Sequence, residues 1–476
     1  MRKMKQMRQQ GFGLLGLLSL LLVAVSLMFN VSPAPVYAQA PTPTATPSDP
    51  VWRAFSTVRE ALEEEFSIDL TIVSSYTWEQ TEWEFSIDDC DAEIDPADHR
   101  PFYIGWTFRV TSLQGTTYQA RVSFDLRAVA ICDEVTQSFT VDDEEGEDAI
   151  DPNLPQPVAG SGATGDFELG GHVLGLGLDT VSYMNQAGMT WVKKQLRYNL
   201  GDGTDGAQNF ISDAQSKGFK ILLGIVGYPD QMGDYENYVQ QYAEFLGQVA
   251  ALGPDAIEIW NEPNIASEWP EGQIDGARYT QMLAAGFNAI KTANPNVIVI
   301  SAAPAPTGAE AAFPGRVVND DRFMQQMANA GAGNFLDCIG LHYNEGAVAP
   351  SASSGDPTRN FYPTLYFGSM LQRGTLVASG KPICWTELGY LSPDGFETPL
   401  PGNFSWGSET SVAEQAAWLA EAVSLSAQSA SPRVRLMIVW NVNFNIYGAD
   451  PQAGFAMIRP DGSCPASATV GAVMGQ

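Results

Sequence analysis

From residue 166 onward the chain repeats one theme: a short apolar run, an amphipathic stretch, then another apolar run. The runs fall at 169–174, 191–199, 220–227, 256–261, 297–303, 336–343, 382–388 and 434–442. The clearest helix between them covers 234–252. Tyr235, Tyr238, Val239, Tyr242, Leu246 and Val249 share one face of it, and Gly253-Pro254 ends it. Strands apolar on both faces must be covered on both faces, and alternation with helices supplies that cover. Eight such units in about 310 residues predict a (β/α)8 TIM barrel. An open doubly wound sheet is the competing arrangement. It lacks support because Gly170-Gly171-His172 and Gly175-Leu176-Gly177 do not form a dinucleotide fingerprint.

In a barrel, chemistry gathers at the C-terminal ends of the strands. The fourth run ends abruptly in Trp260-Asn261-Glu262-Pro263-Asn264, and the seventh ends in Trp385-Thr386-Glu387. Three βα units of about 40 residues account for the separation of the two glutamates. Paired strand-end carboxylates are what acid/base cleavage of a glycosidic bond needs. Glu262 would be protonated to serve the leaving oxygen, a state that burial beside a second carboxylate favours. Glu387 would be ionised to attack the anomeric carbon. Arg197, at the end of the second run, is a candidate to favour that ionised state. Val192, Leu196 and Tyr198 share the opposite strand face, suited to packing on helices.

With these residues the segment 166–476 resembles glycoside hydrolase clan A, the retaining (β/α)8 glycosidases that include cellulase-like and β-xylosidase-like members. The resemblance implies that Asn261 is a substrate-binding amide, Glu262 the acid/base and Glu387 the nucleophile. It implies that Arg197 contacts the nucleophile and that Trp440 floors the sugar site. Clan members often carry His-x-Tyr on strand six, whereas this chain has His342-Tyr343-Asn344. His342 and Tyr343 are therefore candidate binding residues, and either Tyr343 or Asn344 faces the nucleophile. Trp260, Trp385, Trp269, Tyr390, Trp406 and Tyr447 are further rings at strand ends or in loops, suited to packing or to sugar stacking. No cofactor is implied. With three histidines and no His/Cys cluster, no catalytic metal site is expected.

The N-terminal part is less informative. Arg2, Lys3, Lys5 and Arg8, an apolar stretch and Ala38-Gln39-Ala40 form the three-part pattern of a secretory signal peptide over 1–40. The apolar stretch is also just long enough for an uncleaved anchor. A Pro/Thr linker follows at 41–50. Residues 51–141 suggest a small α+β domain. It would have a helix to about residue 65 and strands at 68–76, 83–87, 102–112 and 117–131, with a hairpin at 113–116. Its tryptophans suit a core and spacer role or a glycan-binding face. The stretch 142–165 is an acidic, Gly/Pro-rich linker.

Loss of 1–40 leaves 21 basic residues against 55 acidic, a net charge of −34. Such a surface repels nucleic acid and anionic lipid and suits an exported protein with a neutral carbohydrate partner. Cys90 and Cys132 suit a disulfide in the N-terminal domain. Cys338 and Cys384 sit in apolar runs and are expected to be buried thiols. Strand alternation puts Cys338 in phase with His342 but Cys384 out of phase with Glu387. The reading is an exported retaining β-glycosidase or β-glycanase. The alternatives are a non-catalytic carbohydrate-binding or cell-surface protein on the same scaffold, and a transglycosylase.

Overall fold

The computed structural model describes residues 50–70, 73–84, 102–112, 116–135, 154–357 and 362–475. The signal-peptide segment, the Pro/Thr linker up to residue 49, Cys90, the tip of the 113–116 hairpin and the acidic run 142–148 lie outside the described residues.

Helix α1 (Pro50–Phe66) precedes an antiparallel meander, β1 (Val73–Glu84), β2 (Phe102–Ser112), β3 (Thr117–Ser123) and β4 (Val129–Val135), in that spatial order. The run expected at 117–131 is thus two strands. The chain reverses between them at residues 124–128, where Ser123 N donates to Ala128 O and Leu126 has a φ of 61°. Phe55, Val58 and Leu62 bury one stripe of α1 against Trp106, Phe108 and Val110, which alternate along β2. Leu365 and Tyr366, from the loop after the sixth barrel strand, complete this core. Trp83 and Trp106 are buried, whereas Trp78 is half-exposed. Cys132 is disulfide-bonded.

The remaining chain forms a parallel eight-stranded sheet: β5 (Glu168–His172), β6 (Trp191–Arg197), β7 (Lys220–Val226), β8 (Ala256–Ile259), β9 (Ile298–Ser301), β10 (Ile339–Gly346), β11 (Ile383–Tyr390) and β12 (Val434–Val439). Each strand pairs with its sequence neighbour, and β12 pairs with β5. Between β9 and β10 the contact is a bridge at Ile300 and Cys338, with Ser301 N donating to Cys338 O and Cys338 N to Val299 O. The ring therefore closes, and the fold is a (β/α)8 barrel. Its helices are α2 (Leu178–Gln186), α3 (Asp205–Ser216), α4 (Tyr235–Ala251), α5 (Gly276–Ala293), α6 (Asp320–Asn329), α7 (Phe367–Arg373), α8 (Val412–Gln428), the single turn α9 (Gln452–Phe455) and α10 (Pro465–Met474).

The helix expected at 234–252 is α4. Asp234 caps it by accepting from Asn237 N, and Tyr238, Tyr242, Leu246 and Val249 are buried. Tyr242 Oη donates to Ile225 O at 2.5 Å, and Tyr279 Oη from α5 donates to Ile259 O at 2.8 Å. These hydroxyls tie α4 and α5 to carbonyls near the C-terminal ends of β7 and β8.

Cys338 and Cys384 are not thiols. They form a disulfide inside the barrel, among Trp191, Leu222, Ala256, Ile300 and Leu436. The phase argument fails because β11 is bulged. Leu341 pairs with Trp385 but His342 with Glu387, so Thr386 is an extra residue. A bulge resets the alternation, and Cys384 and Glu387, three apart, both face inward. Cys464 is free and buried.

Candidate active site

The mouth of the barrel is built from the ends of β8 and β11. After β8 the backbone turns sharply, with Trp260 at φ 78° and Glu262 at φ 44°. Left-handed conformations in a bulky and an acidic residue cost about 1–3 kcal/mol each and need surroundings that enforce them. Here Trp260 N donates to Ile225 O and Glu262 N to Ala303 O, both at 3.0 Å. The Trp260 indole donates to Glu268 O at 2.9 Å. Gly227 lets that indole approach: a Cβ there would lie 2.9 Å from the ring and 1.7 Å from Tyr238 Oη. Asn264, fully buried, donates to Ala305 O and Val318 O and accepts from Ala305 N, tying this loop to the next. The second asparagine of Asn-Glu-Pro-Asn is thus a structural knot, a role the motif alone did not reveal.

Glu262 and Glu387 come together at one nitrogen of His342. His342 Nδ1 lies 3.0 Å from Glu262 Oε1 and 3.9 Å from Glu387 Oε2. Those two oxygens can be no farther apart than the two distances laid end to end. His342 is fully buried, Glu387 nearly so, and Glu262 is half-buried. His172, on β5, approaches Glu387 Oε1 at 3.7 Å. The half-buried Trp440 ring packs on His172 and on Phe444, each with centroids 5.0 Å apart. Asn261 is buried beside Glu262. Asn261 Oδ1, His172 Nδ1 and His342 Nε2 lack hydrogen-bond partners among the described residues. Buried polar atoms are usually paired, so three unmatched ones around two carboxylates suit a hydroxyl-rich ligand.

Two candidate residues stand elsewhere. Arg197 does not touch Glu387. It grips Glu268 with both terminal nitrogens, at 2.8 and 2.9 Å, and donates to Gly227 O. Tyr343 is fully buried on the outer face of β10, donating to Leu365 O at 3.0 Å and packing on Phe367, Trp385 and Tyr390. Strand alternation sends it away from the mouth, and half-buried Asn344 shares the parity of His342.

The cation beside Glu387 is Lys193. It is fully buried on β6, with Nζ 3.2 Å from Glu387 Oε1, 3.2 Å from Thr386 O and 2.8 Å from Glu258 Oε2. Lys193 and Arg197 share strand parity, so the phase argument admitted both. Reach decided between them, because Arg197 lies two pleat repeats farther along β6, at its C-terminal end. The electrostatic consequence is strong. Burial alone would raise the Glu387 carboxyl, but Lys193, His342 and His172 outweigh it and hold Glu387 well below the ordinary carboxylate range. Burial would lower His342, yet Glu387 and Glu262 raise it above the usual imidazole value. His172 is lowered, chiefly by burial.

The other rings are mostly packing. Trp260, Trp269, Trp385 and Tyr390 are fully buried. Trp269 meets Trp260 edge-on at 5.5 Å. Tyr447 stacks on Phe396 at 3.8 Å, and Trp406 is half-buried.

No family model matches the chain, and no curated protein is similar to it in sequence. Among solved structures it is similar to Cel5A of Thermotoga maritima in complex with mannotriose, at 13% identity over 64% of this chain and 96% of that chain, with a TM-score of 0.39. It is similar to the endo-1,4-β-mannanase of Rhizomucor miehei, at 14% identity over 67% and 99% of the two chains, with a TM-score of 0.39. It is also similar to endo-glycoceramidase II of a Rhodococcus species, at 12% identity over 66% and 81%, with a TM-score of 0.39. In its closed parallel barrel the chain shares the fold of these structures.

Proposed function

We propose that the chain is an exported retaining glycoside hydrolase of β-linked glycans, with Glu262 as acid/base and Glu387 as nucleophile. The observation that carries the reading is the single His342 nitrogen within 3.0 Å of one carboxylate and 3.9 Å of the other. Retaining enzymes hold their carboxyls about 5–5.5 Å apart and inverting ones about 6.5–9.5 Å. The bound set by His342 overlaps only the lowest edge of the inverting range.

In the first step a Glu387 oxygen attacks the anomeric carbon while Glu262 gives its proton to the glycosidic oxygen. The bond to the leaving group breaks, an alcohol departs, and an inverted glycosyl ester remains on Glu387. Glu262, now a carboxylate, takes a proton from water as that water attacks the same carbon. The ester bond breaks, Glu387 recovers its charge, and the second inversion gives net retention. Lys193 supports the ionised state that the first step requires.

The test is hydrolysis of p-nitrophenyl β-glucoside, β-xyloside, β-mannoside and β-galactoside, with product configuration followed by NMR. The expected first product is the β-anomer, and activity is lost in Glu387→Gln. Initial release of the α-anomer would refute the retaining mechanism. Export is tested by the mass of the protein recovered outside the cells, expected to lack residues 1–40.

A further inference from the structure

Glu258 has no role in that scheme, yet it is fully buried inside the barrel on β8, four residues before Glu262. Its Oε2 lies 2.8 Å from Lys193 Nζ, closer than the 3.2 Å between Lys193 and Glu387. The barrel leaves room for the pair at Gly224, where a Cβ would lie 3.3 Å from Glu258 Oε2 and 3.4 Å from Lys193 Cε. A carboxylate buried this deeply is costly unless its charge is matched, and so is an ammonium. Among the described residues, Lys193 faces two carboxylates, and the ion pair of Glu258 is with Lys193.

We propose that Glu258 is a positioning residue acting through Lys193: it keeps the buried ammonium paired while Glu387 is covalently occupied. The inference rests on the glycosidase reading above. When Glu387 attacks, its negative charge disappears into the ester. Without Glu258, the ammonium would then stand alone in the barrel interior, and its attraction for Glu387 would oppose the attack. With Glu258, an ammonium–carboxylate pair at 2.8 Å survives the whole cycle. The groups facing Glu387 are Lys193 from β6, His172 from β5 and His342 from β10, which also meets Glu262. The histidines serve the mouth, and Glu258 serves the ammonium beneath it. Burial would lower the Lys193 ammonium, but Glu258 and then Glu387 outweigh it and raise it.

The experiment separates the two chemical steps. The probe is the 2,4-dinitrophenyl 2-deoxy-2-fluoro derivative of whichever of the four β-glycosides the wild type hydrolyses fastest. Intact-protein mass spectrometry follows labelling of Glu387 and then reactivation in water. In Glu258→Gln, labelling is expected to slow by about tenfold or more, since an unpaired buried charge readily outweighs one such factor. Reactivation is expected to quicken, because it restores the lost partner. Glu258→Asp, which keeps the charge, should return both rates towards wild type. A purely structural role would slow both steps together. That result, or no change in either step, overturns the inference. If Glu258→Gln does not fold, Glu258→Met, which also removes the charge and leaves Lys193 in place, carries the test. Its labelling should slow relative to its reactivation, and an unchanged ratio overturns the proposal. A wild type that does not label at all refutes the glycosidase reading itself.

Discussion

Replacing Lys193 with methionine tests the electrostatics of the site most directly. Methionine keeps the length of the side chain and removes the charge. At 3.2 Å and an effective dielectric constant of about 20, the ammonium–carboxylate attraction is on the order of 5 kcal/mol. That corresponds to roughly three to four pH units for the ionisation of Glu387. The figure is an upper value, because the surroundings of Glu387 reorganise once the ammonium is gone. Glu387 is depressed in the folded protein, so its ionised form is lost as pH falls through the folded value. Removing Lys193 raises that value, and the acid limb of kcat/KM moves to higher pH. A shift of about one to four units is expected in a pH profile on an aryl β-glycoside, with Lys193→Arg close to wild type. The same variant should lose stability above the ordinary carboxylate range, where two buried carboxylates face each other, and regain it as pH falls and one is protonated. An acid limb that superimposes on that of wild type would refute the assignment of Lys193 as the group that keeps Glu387 ionised.

Three further outcomes follow from contacts away from Glu387. Arg197→Ala should leave the acid limb in place, because Arg197 grips Glu268; its effect is expected in KM. Burial already raises Glu268 against the pull of Arg197, so Glu268 should titrate higher still in this variant. Replacing both Cys338 and Cys384 by alanine opens a link across 46 residues, for which chain entropy allows up to about 4 kcal/mol of stability, measurable by denaturant unfolding under oxidising conditions. Asn264→Ala strands three backbone groups that the side chain now pairs. It should cost about 2–4 kcal/mol in unfolding free energy and lower kcat through a displaced Glu262.

How far the site could be read from residues alone varies with the kind of information each position carries. Glu262 and Glu387 were identifiable because each ends an apolar run, and ends of parallel barrel strands converge at one mouth. Asn261 and His342 entered as candidates through the resemblance to clan A motifs, which their places near strand ends match. Alternation placed Arg197 on the right face of β6, but it does not separate Arg197 from Lys193, which shares that parity and which the sequence reading passed over. Which of them meets Glu387 depends on depth along the barrel axis, a quantity set by strand stagger. Tyr343 was left beside Asn344 as an open choice, and the outward parity of β10 removes it from the mouth.

Periodicity, run length and helix-stopping residues are local, and they determined the barrel, its eight strands and the partnership of two strand-end carboxylates. The bulge at Thr386 is not local. It is a register shift of β11 against both β10 and β12, and it brings Cys384 and Glu387 onto one face. The disulfide, the burial of Glu258 against Lys193 and the Arg197–Glu268 clasp likewise depend on contacts between segments tens of residues apart. Only the closed tertiary structure decides them, because the partner that satisfies a buried charge or thiol is chosen by distance in space, and spacing along the chain does not encode that distance.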